Sequence, residues 1–187
     1  MKQTIIAVIC FLCVSSLYIQ AQKINHPSLL YTPQRIQQVK QRMQHEPKLQ
    51  EAWGDIKKTA DKALQKKDFN RLDYLSLAYL MTDNKEYADA IKEILLKAVE
   101  AESWGDVEMM ARIPAWRSQL GMAHKSFLSA VGYDAAYNVM SSSERKKIAE
   151  GLKRLAVEPA LGDWLLEPTR IHSLNSMGHN WWTSCVC

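Results

Sequence analysis

The chain has 187 residues, of which 47% are hydrophobic and 24% are charged. This composition is that of a folded globular protein with one substantial core, and it excludes a disordered chain. The formal net charge of +4 at pH 7 is too small to argue for a nucleic-acid partner. Only 7 Gly and 6 Pro occur, which favours helices over a turn-rich β protein.

The first segment, 1–21, has the pattern of a signal peptide. Lys2 supplies a positive charge, 4–19 is an apolar run, and the small residue Ala21 ends a cleavage site. The run is short and is interrupted by two serines, which weakens the alternative of a permanent membrane anchor. We expect a periplasmic or secreted protein without stable membrane insertion after cleavage.

The mature chain, 22–187, begins with signals for two helices. Thr32 and Pro33 are a typical N-cap and first helical residue, and this helix should end near Gln44. Pro47 begins a second helix, which ends before a break at 68–71. The following stretch, 72–81, is apolar almost all round, which indicates a helix buried on more than one side.

The middle of the chain continues with helices and two long loops. After a turn at Asp83 and Asn84, a helix over 85–102 should complete a helical hairpin. A long connection follows, and then a long helix that we expect to break near Gly121 or Gly132. The remaining predicted ranges are 103–114 for the connection, 116–140 for the long helix, 141–157 for a serine-capped helix ended by Glu158 and Pro159, and 161–170 for the second loop.

The fold class predicted by this alternation is all-α, an array of antiparallel helical hairpins. No period near 34 residues, which a tetratricopeptide array would have, is carried forward. The chain ends in an apolar run without a helix-stop signal, so we expect a truncated domain. Cys185 and Cys187 would point to nearly opposite sides of a helix, so neither a disulfide nor a metal site is expected, and no cofactor is indicated.

The chemically densest stretch is 170–187, RIHSLNSMGHNWWTSCVC. His179 and Asn180 directly precede Trp181 and Trp182. Aromatic faces stack on the C–H faces of sugar rings, while convergent polar groups orient the ligand and carry out the chemistry. The alternative is a helix start at which Asn180 caps the first turn and the tryptophans enter the core.

This NWW string resembles that of bacterial polysaccharide lyases with an (α/α) toroid domain. The chain as a whole resembles the amino-terminal part of a heparinase II/III-like lyase, of the alginate lyase/chondroitin lyase type, over most of 26–187. Three further stretches carry the resemblance: HPSLLYTPQRIQQVKQRM, LSLAYLMTDNKEYADAIKEIL and LSAVGYDAAYNVMSSSERKKIAEGL. The resemblance implies that 22–187 is part of an incomplete (α/α) toroid.

The activity implied by the resemblance is β-elimination on an acidic, uronic-acid-containing polysaccharide. Asn180 would neutralise the substrate carboxylate, and His179 would act as base or donor. Family members often have Asn before His, so which of the two faces the substrate stays open. The family's tyrosine base would lie beyond residue 187, and the fragment alone should be inactive. The tyrosines present are predicted to be core residues: Tyr74, Tyr79, Tyr87, Tyr133 and Tyr137.

The remaining candidates are aromatic and basic side chains that could line a groove. Arginines pair bidentately with carboxylate or sulfate, although packing or a surface ion pair is the alternative for each. The predicted substrate-binding residues are Trp104, Arg112, Trp116, Arg117, Arg170, His172, Trp181 and Trp182. Three histidines without an evident partner cluster are left out: His26, His45 and His124.

Two other functions compete with the lyase. One is an extracytoplasmic helical module that binds a glycan or protein without catalysis. The other is a glycoside hydrolase on an (α/α) barrel, which needs two carboxylates beside the scissile bond. The acids in the predicted loops are Asp106, Glu108, Asp163 and Glu167.

The leader generates the first prediction. If 1–21 is removed on export, amino-terminal sequencing of the exported protein should start near Gln22. An intact Met1 on a membrane-bound product would contradict it.

Overall fold

The computed structural model describes residues 24–111 and 115–163, and within these ranges the regular secondary structure is helical, without strands. The all-α class is therefore confirmed, while the toroid stays a prediction. The helices are α1 (Pro33–Met43), α2 (Pro47–Lys66), α3 (Leu72–Thr82), α4 (Lys85–Ala98), α5 (Val107–Met110), α6 (Leu120–Ala136), α7 (Ser142–Leu152) and α8 (Glu158–Leu161). Shorter helical segments are the 3₁₀ turns Phe69–Arg71 and Tyr137–Val139 and the π-helical Lys153–Val157.

The helix starts that were predicted from capping residues are confirmed for α1 and α7. The Thr32 hydroxyl accepts a hydrogen bond from the Arg35 N–H at 3.3 Å, with Pro33 as the first helical residue. Ser141 and Glu144 form a reciprocal capping box at the start of α7. Such bonds satisfy N–H groups that have no partner inside the helix.

Helix α3 is the centre of the array, because it packs against α2, α4 and α6. Leu72, Leu75 and Ala78 on this helix have no exposed surface. Burying one leucine stabilises a fold by about 1.5–3 kcal/mol. The predicted burial of this helix on more than one side is confirmed.

The predicted break at Gly132 is wrong, since α6 runs through this residue without interruption, and Gly121 is the second residue of the helix. At Gly132, an added Cβ would lie 3.3 Å from side-chain carbons of Leu72 and Ile91. Gly132 therefore allows the neighbouring helices to pack closely and does not bend α6. The helix also begins later than expected, at Leu120, and α4 ends earlier than expected, at Ala98.

The predicted helix end at Glu158 and Pro159 is also wrong, because helical backbone continues to Leu161. The Glu158 N–H bonds to the Lys153 carbonyl five residues back, which widens the turn directly before Pro159. In an ordinary α-helix, the proline ring clashes with the carbonyl four residues back. The wider turn relieves that clash.

A buried carboxylate on α6 holds the segment before α1. Asp134, 4% exposed, accepts hydrogen bonds from the backbone N–H groups of Ser28 and Leu29, each at 2.8 Å. His26 Nδ1 lies 2.6 Å from the same carboxylate, and its ring stacks on Tyr137. The expectation that His26 lacks partners is therefore wrong. The sequence did not indicate this partner because Asp134 lies 108 residues away.

Close packing between α7 and α4 generates the second prediction. A Cβ added at Gly151 would lie 2.4 Å from the Val99 Cβ, so one helix must move away from the other. We expect Gly151→Ala to lower the free energy of unfolding by about 1–3 kcal/mol, measured by urea denaturation.

The matched control is Gly54→Ala in the interior of α2, where an added Cβ would have no neighbour within 4 Å apart from the adjacent residues and backbone of its own helix. Because alanine favours helix more than glycine does, this variant should be more stable by about 0.5–1 kcal/mol. If Gly151→Ala were stabilised to the same degree, the close contact between α7 and α4 would be excluded.

Candidate functional site

The described part of the connection between α4 and α6 contains three of the predicted site residues, Trp104, Trp116 and Arg117. The buried amide of Gln119 holds it together, accepting from the Asp106 N–H at 2.8 Å and donating to the Trp116 carbonyl at 2.7 Å. The backbone N–H of Trp116 donates to the Met109 carbonyl at 3.1 Å. The described part of this connection is therefore a folded segment and not an open loop.

Arg117 is bound to a carboxylate of the protein itself. Its Nε and Nη2 donate to Asp163 Oδ1 at 3.1 and 3.0 Å. The backbone N–H groups of Arg117 and Ser118 donate to Oδ2 at 2.7 and 2.8 Å. Gly162 leaves room for this arrangement, because a Cβ there would lie 2.6 Å from Arg117 Nη2. Of the two roles considered for Arg117, the structure shows the ion pair.

This ion pair also joins the second predicted loop to the residues that directly follow the first. Asp163 lies at the start of the second stretch, and its side chain is 1% exposed. Arg117 and Ser118 follow the first. Sequence reasoning treated Asp163 only as a possible hydrolytic acid and missed this role, which no local pattern signals.

Trp104 belongs mainly to the hydrophobic core. Its side chain is only 4% exposed, and its indole N–H donates to the Ala98 carbonyl at 3.2 Å. The ring meets Phe69 edge to face, with 6.4 Å between centroids. Trp116 is half-buried. A substrate-binding role for either tryptophan stays a prediction.

A surface groove of about 650 Å³ lies beside Trp104, between the carboxyl end of α2, α4 and the start of the connection. Its volume is in the range of small-molecule sites. Four lysines line it together with one acid, Glu93: Lys66, Lys67, Lys97 and Lys125. Sequence analysis missed this cluster, since the lysines come from three separate helices and the turn after α2.

Tyr87 belongs to the core, and Tyr74, Tyr79 and Tyr133 pack against it, as predicted. Tyr137, which was also predicted to be a core residue, is half-buried and stacks on His26. Burial raises the pKa of Tyr79, Tyr87 and Tyr133. Burial and the charge of Asp73 raise the pKa of Tyr31 to about 12. A phenol that serves as base must lose its proton readily near neutral pH, and these shifts run in the opposite direction.

Two of the four acids considered for a hydrolase are engaged in backbone contacts. Both Asp163 oxygens accept hydrogen bonds, and Asp106 caps α5 by accepting from the Glu108 and Met109 N–H groups. Glu108 is exposed on α5. The structure therefore assigns structural contacts to Asp106 and Asp163.

The predicted catalytic motif lies outside the described residues. The same holds for Glu167, for the two cysteines and for several predicted binding residues. The predicted site residues in this group are His179, Asn180, Trp181, Trp182, Arg112, Arg170 and His172.

Searches of the described ranges found no helix able to cross a membrane and no group of three or more His, Cys, Asp or Glu side chains placed to hold a metal ion. The fold defines the class as an all-α protein built from helical hairpins. A scan of the sequence finds no matching family model, and a search of curated proteins finds no match either.

The Arg117–Asp163 pair generates the third prediction. Asp163→Ala would leave buried N–H groups and a guanidinium without their acceptor, so the free energy of unfolding should fall by about 2–3 kcal/mol. Urea denaturation monitored by circular dichroism measures the change.

Glu150→Ala is the matched control, because Glu150 pairs with Lys146 at 3.9 Å and both side chains are largely exposed. Its effect should be below about 1 kcal/mol. Equal losses in the two variants would show that the four hydrogen bonds to Asp163 contribute no more than a surface ion pair.

Proposed function

We propose that this chain is the amino-terminal part of a polysaccharide lyase that cleaves an acidic, uronic-acid-containing polysaccharide by β-elimination. The observation that carries the proposal is the GHNWW string at 178–182, which follows an all-α array of hairpins. The cationic groove beside Trp104 adds support, because it suits a polymer that carries acidic groups. The proposed site of action is periplasmic or extracellular.

The proposed chemistry begins with removal of the C5 proton by a base. The electron pair spreads towards the C6 carboxylate, the C4–O bond breaks, and the leaving oxygen takes up a proton, so a C4–C5 double bond forms. Donors aimed at the carboxylate stabilise the developing charge. In this proposal the Asn180 amide is that donor at any pH, and His179 supplies a base or a second donor.

The contacts of Asp106 and Asp163 leave Glu108 and Glu167 of the four acids considered for a hydrolase. A hydrolase needs two carboxylates that can reach the scissile bond. Asp163 is buried under four hydrogen bonds, and Asp106 caps a helix. The lyase chemistry does not require such a pair.

The second candidate is a helical glycan-binding module without catalysis. The cationic groove favours it equally, because binding an acidic polymer requires no base. The two candidates differ in whether an unsaturated product forms.

The fourth prediction concerns Asn180, measured in the complete gene product. Asn180→Ala should lower kcat by about 10²–10³, the usual effect of deleting one donor to a developing anion. KM should change less, because this donor acts mainly in the transition state. Ultraviolet absorbance of the unsaturated product follows the reaction, and a hydrolase cannot make that product.

Two further variants make the assay specific. Asn175→Ala removes an amide from the same stretch and should leave kcat unchanged, while Trp181→Ala should raise KM more than it lowers kcat if the ring stacks on the sugar. If Asn180→Ala keeps full turnover and melts at a lower temperature, Asn180 is a helix cap. The donor role would then pass to His179.

A further inference from the structure

We infer that the groove beside Trp104 binds an acidic oligosaccharide, a length of polysaccharide that carries carboxylate or sulfate groups. The inference rests on the proposed substrate class, and it assigns recognition to side chains that the GHNWW string does not contain. The groove charges, its apolar wall and the enclosure of its tryptophan carry the argument.

The groove has a net positive charge. Its four lysines exceed its single acid, Glu93, by three positive charges (4 − 1). Lys67 pairs with Glu93, and Lys125 Nζ donates to the Trp104 carbonyl at 3.4 Å. Lys66 and Lys97 are exposed and make no ion pair with any described residue. Like charges gathered on a concave surface concentrate anions there.

The wall of the groove also has an apolar part, formed beside the lysines by Phe69, Ile94, Ala98 and Ala101. A sugar ring presents C–H faces and, at its rim, hydroxyl and acidic groups. Apolar side chains next to mobile ammonium groups match both parts of such a ligand. The groove volume of about 650 Å³ is sufficient for a short oligosaccharide rather than a single inorganic anion.

Single-stranded nucleic acid is not the favoured ligand of this groove. Proteins that bind single strands stack the bases on exposed aromatic faces. Trp104 is only 4% exposed, and Phe69 packs edge to face against it. The groove therefore offers cations, aliphatic surface and the partly buried ring of Phe69, and its tryptophan is not an open stacking face.

The test is isothermal titration of the full chain with two probes, a heparin-derived tetrasaccharide and a tetragalacturonate. The two probes distinguish sulfate from carboxylate recognition. Removing the two unpaired charges in Lys66→Gln/Lys97→Gln should raise Kd by about five- to thirtyfold, because each exposed ion pair contributes up to about 1 kcal/mol. The remaining affinity should depend less on salt concentration.

The matched control is Lys48→Gln/Lys58→Gln, which removes the same charge from exposed positions of α2 outside the groove. Its Kd should equal that of the wild type, and both double variants should keep wild-type helicity. Equal losses in the two pairs, or an unchanged Kd in the groove pair, would overturn the inference. A single-stranded oligonucleotide that binds as tightly as the saccharides would overturn the ligand class.

A second measurement uses the unmodified chain and does not depend on variants that fold. The tetrasaccharide should protect Lys66 and Lys97 from acetylation, read by mass spectrometry, and should leave Lys48 and Lys58 reactive. Equal acetylation of all four lysines with and without saccharide would contradict binding in the groove.

The binding measurements can be separated from the lyase assay. Asn180→Ala should bind the tetrasaccharides with wild-type affinity, since the groove lysines are intact. Binding through Lys66 and Lys97 without an unsaturated product would remove the proposed function and retain the groove. Formation of the unsaturated product, together with a Kd that does not depend on these lysines, would retain the proposed function and remove the groove as the binding site.

Discussion

The described structure depends on one constraint, the burial of α3 on several sides. This helix has Leu72, Leu75, Ala78 and Met81 among its buried residues. A helix that is apolar all round has no face to leave in water, so α2, α4 and α6 must surround it. Even its buried hydroxyl, Ser76, bonds back to the Leu72 carbonyl at 2.6 Å. The positions of the groove walls on α2 and α4 follow from this arrangement.

Two buried carboxylates attach non-helical segments to that array. Asp134 binds the backbone N–H groups of Ser28 and Leu29, and Asp163 binds those of Arg117 and Ser118. Consecutive N–H groups outside a helix lack internal acceptors, and leaving them buried without a partner costs about 1–3 kcal/mol each. A carboxylate with two oxygens satisfies both at once. The same solution therefore orders the entry to α1 and the entry to α6.

The contact between Arg117 and Asp163 bears on which basic side chains are left to bind an acidic ligand. Arginine forms bidentate pairs with carboxylates more readily than lysine does, and Arg117 forms its pair within the protein. The lysines beside Trp104 are less engaged, because two of the four make no ion pair with any described residue. In our proposal, acidic groups of the polymer meet these flexible ammonium groups, and the GHNWW string supplies the chemistry.

The sequence by itself determined the helical class, the helix start at Thr32 and a helix start within the serines 141–143, because capping and apolar periodicity act within three or four residues. It also indicated that α3 is buried on more than one side. The GHNWW string was indicated as the candidate catalytic motif. Only the tertiary structure decided the partners of His26 and Arg117, the uninterrupted course of α6 and the groove lysines. His26 and Asp134 lie 108 residues apart, and Gly132 is explained by Leu72 and Ile91 on other helices. Such contacts depend on how helices pack in space, which no local pattern contains.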